Sequence, residues 1–308
     1  MPMKILRFTI LSLILLQIIF NGCSKKNTVD AVAYKIEIEQ WQMKRAEGLK
    51  KENGWLTLSG LFWLKEGENK FGTDSSNAVI FPPGKSPAYA GSIFLMNNEL
   101  RFKCAKGVPV LCNDSAVAEM KIQSDESGKA TTTILKHGTL SFHVIKRGDK
   151  LGVRVRDSEN PARVNFKGLE YFPINHEWRF DAKFEPYNPP KIIQIVNVLN
   201  QVSNDTCPGA IVFEVNRNTY RLDALKEGKE FFIIFHDETA GKETYGMGRF
   251  LAAASPDSAN NVILDFNKAY NPPCAFTEFA TCPLPPKQNY LPIRVEAGEI
   301  NYAGVVHH

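Results

Sequence analysis

The stretch Trp178-Arg179-Phe180-Asp181-Ala182-Lys183-Phe184-Glu185 decides the fold class. Apolar side chains occupy every second position and charged ones fill the gaps. Successive side chains of a strand point to opposite faces, so this spacing predicts a half-buried antiparallel strand with Trp178, Phe180, Ala182 and Phe184 on one face. Toward the C terminus the series continues at 191–199, 210–215, 230–236, 246–251 and 261–266, short apolar runs set off by turn residues. Upstream, 139–145 and 151–155 are joined by Lys146-Arg147-Gly148-Asp149, a hairpin connection. Helical patterns do not alternate with these runs, which disfavours a doubly wound parallel sheet.

Nearer the N terminus the rhythm quickens. Trp55-Leu56-Thr57-Leu58 and Leu61-Phe62-Trp63-Leu64 flank Ser59-Gly60, and runs at 71–72, 78–81, 92–95 and 108–111 follow. That predicts a small sandwich ending within 124–129. Before it, Tyr34, Ile38, Trp41, Arg45 and Leu49 recur at three and four residues, which predicts one helix over 31–51. The expected fold is mostly β, in antiparallel sandwich or barrel-like modules with one N-terminal helix. Residues 31–128 form the helix and the sandwich-like module, and 129–308 an antiparallel meander with a proline-rich C-terminal loop. The sequence from Leu64 to Gly72, then Asn77 to Ile80 and Gly91, resembles the start of a forkhead-associated sandwich. That fold binds phosphothreonine through an Arg beside the glycine and a later Ser-x-x-His. Here Thr73 stands in the Arg position and no such His follows, so the resemblance implies β architecture and argues against phosphopeptide binding.

The first residues carry Lys4 and Arg7, then an apolar run from Phe8 to Phe20, then Gly22-Cys23. The run is shorter than the roughly 20 residues a bilayer span needs, which fits a signal segment. The expectation is a signal peptide over 1–22, lipidation at Cys23, a tether over 23–30 and attachment to a membrane through the acyl chains. Ser24 rather than an acidic residue follows the cysteine, pointing to the outer membrane of a cell envelope, facing the periplasm. The whole chain has 37 basic and 33 acidic residues. Without Lys4 and Arg7 the balance is 35 to 33, or +2. With no basic stripe interleaved with aromatics, no nucleic-acid partner is expected.

Five cysteines follow Cys23: Cys104, Cys112, Cys207, Cys274 and Cys282. The short Cys274–Cys282 loop is a candidate disulfide, and Cys104 and Cys112 could face each other across a hairpin or stay buried and free. No spacing typical of a zinc site is present, and no metal or cofactor is expected.

The densest chemistry lies between Asp265 and Pro286. Five prolines make this a stiff, irregular loop able to present Asp265, Asn267, Tyr270 and Asn271 to a ligand. Asp265 and Asn267 could equally cap backbone groups through Asx turns, with the loop serving as a lid. Arg249, inside an expected strand, needs a partner if buried, and Asp265 on a neighbouring strand is the candidate. With Tyr245 these residues make a possible binding site. Around them, Lys242-Glu243 breaks the Walker A order, His176 to Phe180 is not HExxH, and no G-x-S-x-G is present.

Three functions fit: an accessory or binding protein for a small molecule or envelope protein; an envelope hydrolase in which Asp265 or Cys274 acts with His236 or Arg249; a structural interaction module. The run from Gly54 to Leu64, the Thr244 to Leu251 run, and Asp265-Phe266-Asn267 through Asn271-Pro272-Pro273-Cys274 to Pro286 resemble the bacterial family of domain of unknown function 1684. The resemblance implies an often lipid-anchored protein and carries over no catalytic residue.

Overall fold

The structure, a computed structural model, describes residues 30–125 and 132–304. The expected signal segment, Cys23 and all of the tether except Asp30 lie outside the described residues. Helix α1 spans Ala31–Lys50, with the Asp30 carboxylate capping it by accepting from the Val32 and Ala33 amides. Tyr34, Ile38 and Leu49 are its buried residues, three of the positions whose spacing predicted the helix.

The first body holds β1 (Leu58–Trp63), β2 (Gly67–Gly72), β3 (Val79–Ile80), β4 (Gly91–Met96), β5 (Glu99–Cys104), β6 (Leu111–Cys112), β7 (Ser115–Ala116), β8 (Glu119–Lys121), β9 (Leu135–His137), β10 (Leu140–Arg147) and β11 (Lys150–Asp157). They form two sheets, ordered β1-β11-β10-β9-β6-β7 and β3-β2-β4-β5-β8. Aromatic rings fill the space between them: Phe142 lies 5.5 Å from Phe71 and 5.2 Å from Phe81. The expected boundary at 128/129 does not hold. β1 pairs with β11, and Leu135, Phe142, Val153 and Val155 share one core with Phe71 and Phe102. Local hairpin patterning ran out near 124, whereas burying the sandwich required strands returning from 135–157. The apparent break at Ser59-Gly60 is a register shift inside β1, a bulge that lets one strand continue.

The second body is a six-stranded, barrel-like antiparallel sheet: β12 (Arg179–Val196), β13 (Val202–Val215), β14 (Asn218–Glu227), β15 (Glu230–Phe235), β16 (Arg249–Ala254) and β17 (Asn261–Asp265). Their order is β16-β15-β14-β13-β12-β17. The alternating stretch that set the expectation is the first half of β12, where Ala182 and Phe184 enter the core between β13 and β17. The mostly β, antiparallel fold class with one long N-terminal helix is therefore borne out. β14 was not foreseen, although Tyr220, Leu222 and Ala224 alternate with Arg221 and Asp223, because Lys226 breaks the short period after three apolar positions.

β12 and β13 outrun their neighbours. Past a register shift between Pro186 and Lys191, where prolines interrupt the ladder, residues 191–196 pair with 202–207 as an arm. At its tip, the Gln201 side-chain amide donates to the Arg147 carbonyl of the first body, at 3.3 Å. The space under this arm is where the two bodies face each other.

Candidate functional site

The residues expected to form a site are occupied elsewhere. Arg249 opens β16 and is fully buried, as predicted for an Arg needing a partner. That partner is Asp237, not Asp265: Nη2 donates to Asp237 Oδ1 at 3.1 Å and to the Val295 carbonyl at 2.9 Å. Nη1 donates to the Ala297 carbonyl. Asp265 instead caps the turn Phe266–Lys268, accepting from the Asn267 amide and from the Tyr34 hydroxyl at 2.9 Å. Asn267 Nδ2 donates to the Tyr34 oxygen and the Asn175 carbonyl. Asn271 donates its amide to Glu299 and its Nδ2 to the Ile300 carbonyl. The capping alternative for Asp265 and Asn267 is thus the observed one, and the network fastens α1 and the C-terminal crossing to the barrel. Tyr245 packs beside Trp55 in an apolar cluster. Of the six candidates, Tyr270 alone lines a cleft between the bodies.

The hydrolase residues fare no better. Cys274 and Cys282 are free and buried, so the expected disulfide is absent from this structure. The Cys274 amide donates to Cys282 Sγ at 3.1 Å, and the loop folds both thiols into an apolar cluster with Ile193, Ile195 and Phe250. The pKa of the Cys274 thiol, the candidate nucleophile, is lowered by its hydrogen bond with Cys282 against the upward push of burial. Burial and the same bond push Cys282 far up. Cys274 is itself buried, so it lacks the exposure a thiolate nucleophile needs. The His236 ring stacks on Tyr290 at 4.7 Å. Among the described residues no hydrogen bond joins it to Asp265, Cys274 or Arg249. Cys104, Cys112 and Cys207 are also free.

A cleft of about 690 Å³ opens under the arm, within the range of small-molecule sites. Trp55, Ile234, Phe250, Tyr270 and Pro273 give it an apolar lining, and Arg45, Arg147 and Arg154 bring positive charge. Two of these arginines are matched. Arg147 pairs with Asp125 at 3.0 Å, and Arg45 Nε donates to Glu299 at 2.9 Å.

Arg154, from β11, is different. It is 5 % exposed, its Nε is buried without a partner, and no hydrogen bond or ion pair joins it to any described residue. The Trp55 ring faces its guanidinium, 5.5 Å away, a cation–π contact. Burial, and then Arg147 and Arg156, bring its pKa down to about 10, so it stays charged near neutrality. A buried charge lacking a partner is unfavourable, and this one is directed at an open cleft.

The field has a second consequence. His143 pairs with Arg154 across the β10–β11 ladder. Burial, then Arg154 and Arg156, push its pKa from 6.5 down to about 4. Between those values the unfolded chain binds the proton and the folded chain does not. Stability is therefore expected to be intact above 6.5 and to fall as pH drops from 6.5 to about 4. Thermal unfolding across that window checks this: His143→Gln should flatten the decline, and an unchanged slope would refute the assignment.

Sequence reading missed this site, although a signal existed. Arg154 and Arg156 alternate with Val153 and Val155 on one strand, so both guanidinium groups leave the sandwich core on the same face. Read locally, such a face is solvated.

Residues 164–300 match the model of a family described as Protein of unknown function (DUF1684), the family whose motifs the sequence resembles. Among solved structures, a solution NMR structure of an uncharacterized protein of Haloarcula marismortui is 28% identical, covering 45% of this chain and 78% of its own, with a TM-score of 0.38. A crystal structure of the FhaA FHA domain complexed with the intracellular domain of Rv3910 is 14% identical over 31% of this chain and 97% of its own, with a TM-score of 0.22. No curated protein matches the chain.

Proposed function

We propose that the chain is a ligand-binding lipoprotein of the cell envelope, anchored through Cys23, that receives a small anionic molecule in the cleft at Arg154. One observation carries the binding reading: Arg154 is 5% exposed, and its guanidinium has no hydrogen-bond or ion-pair partner among the described residues. A ligand anion would supply the missing charge-assisted hydrogen bonds, and the aromatic walls would shield them from water. The anchor rests on Gly22-Cys23 behind a short apolar run. No described helix is long and apolar enough to cross a membrane.

Tryptophan fluorescence, with Trp55 in the cleft wall, provides the assay. Benzoate and phenyl phosphate are the anionic probes, and benzyl alcohol the neutral control. At least one anion should bind, and Arg154→Gln should weaken it by about tenfold or more, the loss of a charged hydrogen-bonded contact. Because the substitution removes an unpaired buried charge, stability should hold or rise. Equal affinity of wild type and variant would reject the reading. Separately, Cys23→Ser should move the protein from the membrane fraction to the soluble one; persistence at the membrane would rule out lipid anchoring.

A further inference from the structure

Resting on the anion reading of this cleft, we infer that its ligand is a monocarboxylic acid with an apolar body, held end-on by the two terminal nitrogens of Arg154. Three observations converge on this class.

The first is the charge balance. Arg147 and Arg45 are already matched by Asp125 and Glu299. Arg156 lies outside the cleft lining and is turned to the chain, donating to the Gly54 carbonyl at 2.6 Å and to Thr57 Oγ1 at 3.1 Å. One deep cation is left over. Asp205 and Glu227 also line the cleft, with Lys226 beside them. A dianion would find one free guanidinium inside and two carboxylates along its path, whereas a monoanion matches the single deep cation.

The second is the shape of the donor. Arg154 Nε is closed off, with no partner and no access. Nη1 and Nη2 remain reachable, and they offer two parallel N–H bonds in one plane. A carboxylate presents two coplanar oxygens at matching separation, which makes this pairing bidentate. A tetrahedral phosphate monoester uses its extra oxygens best where several donors converge, and here the neighbouring guanidiniums are engaged.

The third is the remaining wall. Trp55, Ile234, Phe250, Tyr270 and Pro273 line the cleft, and the Phe250 and Tyr270 rings meet edge-on at 5.8 Å. Such a surface rewards an aryl or acyl body through area removed from water. Asn197, Gln201 and Ser203 also line the cleft, but their side-chain donors are already bonded to Gln201, the Arg147 carbonyl and Asp205. A polyhydroxylated body would therefore lose its own hydration there with few free donors to replace it.

The experiment compares matched probes on the mature protein at low salt: octanoate against octyl phosphate and 1-octanol, with benzoate against phenyl phosphate as a second series. Isothermal titration and tryptophan fluorescence report binding. Each carboxylate should bind at least about tenfold tighter than its phosphate and alcohol counterparts. Arg154→Lys keeps the charge but removes the planar fork, and should lose about tenfold for the carboxylates. It also serves as the reading variant if Arg154→Gln does not fold. Phosphates binding as tightly as carboxylates, with dependence on Arg154, would overturn the carboxylate assignment and leave the anion site standing. Binding of no probe, or affinities indifferent to both Arg154 variants, would overturn the assignment and the anion site together.

Discussion

Arg249→Met is expected to destabilise the chain by about 3–5 kcal/mol, the range for removing one partner of a buried ion pair, measured by urea unfolding. Methionine matches much of the arginine's volume, so packing changes little. What remains is chemistry. The Asp237 carboxylate, 2% exposed, loses its cation. It keeps the Thr239 amide and hydroxyl and the Val295 amide as donors, which satisfies hydrogen bonding but leaves the charge uncompensated. The Val295, Ala297 and Glu299 carbonyls lose their shared donor as well. These carbonyls belong to the C-terminal crossing, so its attachment to β16 should weaken first. Asp237→Leu combined with Arg249→Met should cost less than the sum of the single changes, because each alone leaves a charge stranded. A loss under about 1 kcal/mol for Arg249→Met would mean that water reaches the pair.

Phe266→Ala is the second large effect, about 3–5 kcal/mol for a buried phenylalanine truncated in a packed core. Phe266 is fully buried where β17 gives way to its capping turn. Its ring meets Trp178 and Phe180 at 6.0 Å, Phe213 at 5.5 Å and Phe235 at 5.4 Å. Phe180, Phe213 and Phe235 are each held in a strand and Trp178 in the turn that leads into β12, so the ring's place is fixed on every side. The flanking Asp265 and Asn267 hold Tyr34, so the change should also loosen α1 and lower helical protection in amide exchange. Retained α1 protection together with a loss below about 1.5 kcal/mol would show that the core relaxes around the void.

Contrasts between local pattern and observed structure follow one rule. Where burial depends on neighbours along the chain, the sequence was legible. Trp178 to Phe184 announced a strand, Tyr34, Ile38 and Leu49 a helix, and Lys146 to Asp149 a hairpin. Where burial depends on a distant segment, it was not. The sandwich boundary slipped because β1 finds its partner in β11, about 90 residues later. Asp265, Asn267 and Asn271 looked like a presented cluster, but Tyr34, Asn175, Glu299 and Ile300 came in to occupy them. Arg249 was correctly read as needing a partner, but Asp265 was the candidate named and the fold supplied Asp237 instead.

Taken alone, the chain determined its periodicities: a helix followed by antiparallel strands, with a stiff proline-rich crossing near the end. Those follow from the spacing of apolar side chains and from the backbone limits of proline, both local properties. Tertiary structure decided which polar groups are satisfied and which are not. Arg154 sits on the outer face of a sandwich strand, where any reading by period makes it solvated. It becomes a buried, unmatched cation because the second body and its arm close over that face, and desolvation depends on whatever folds against a residue, however far away in sequence.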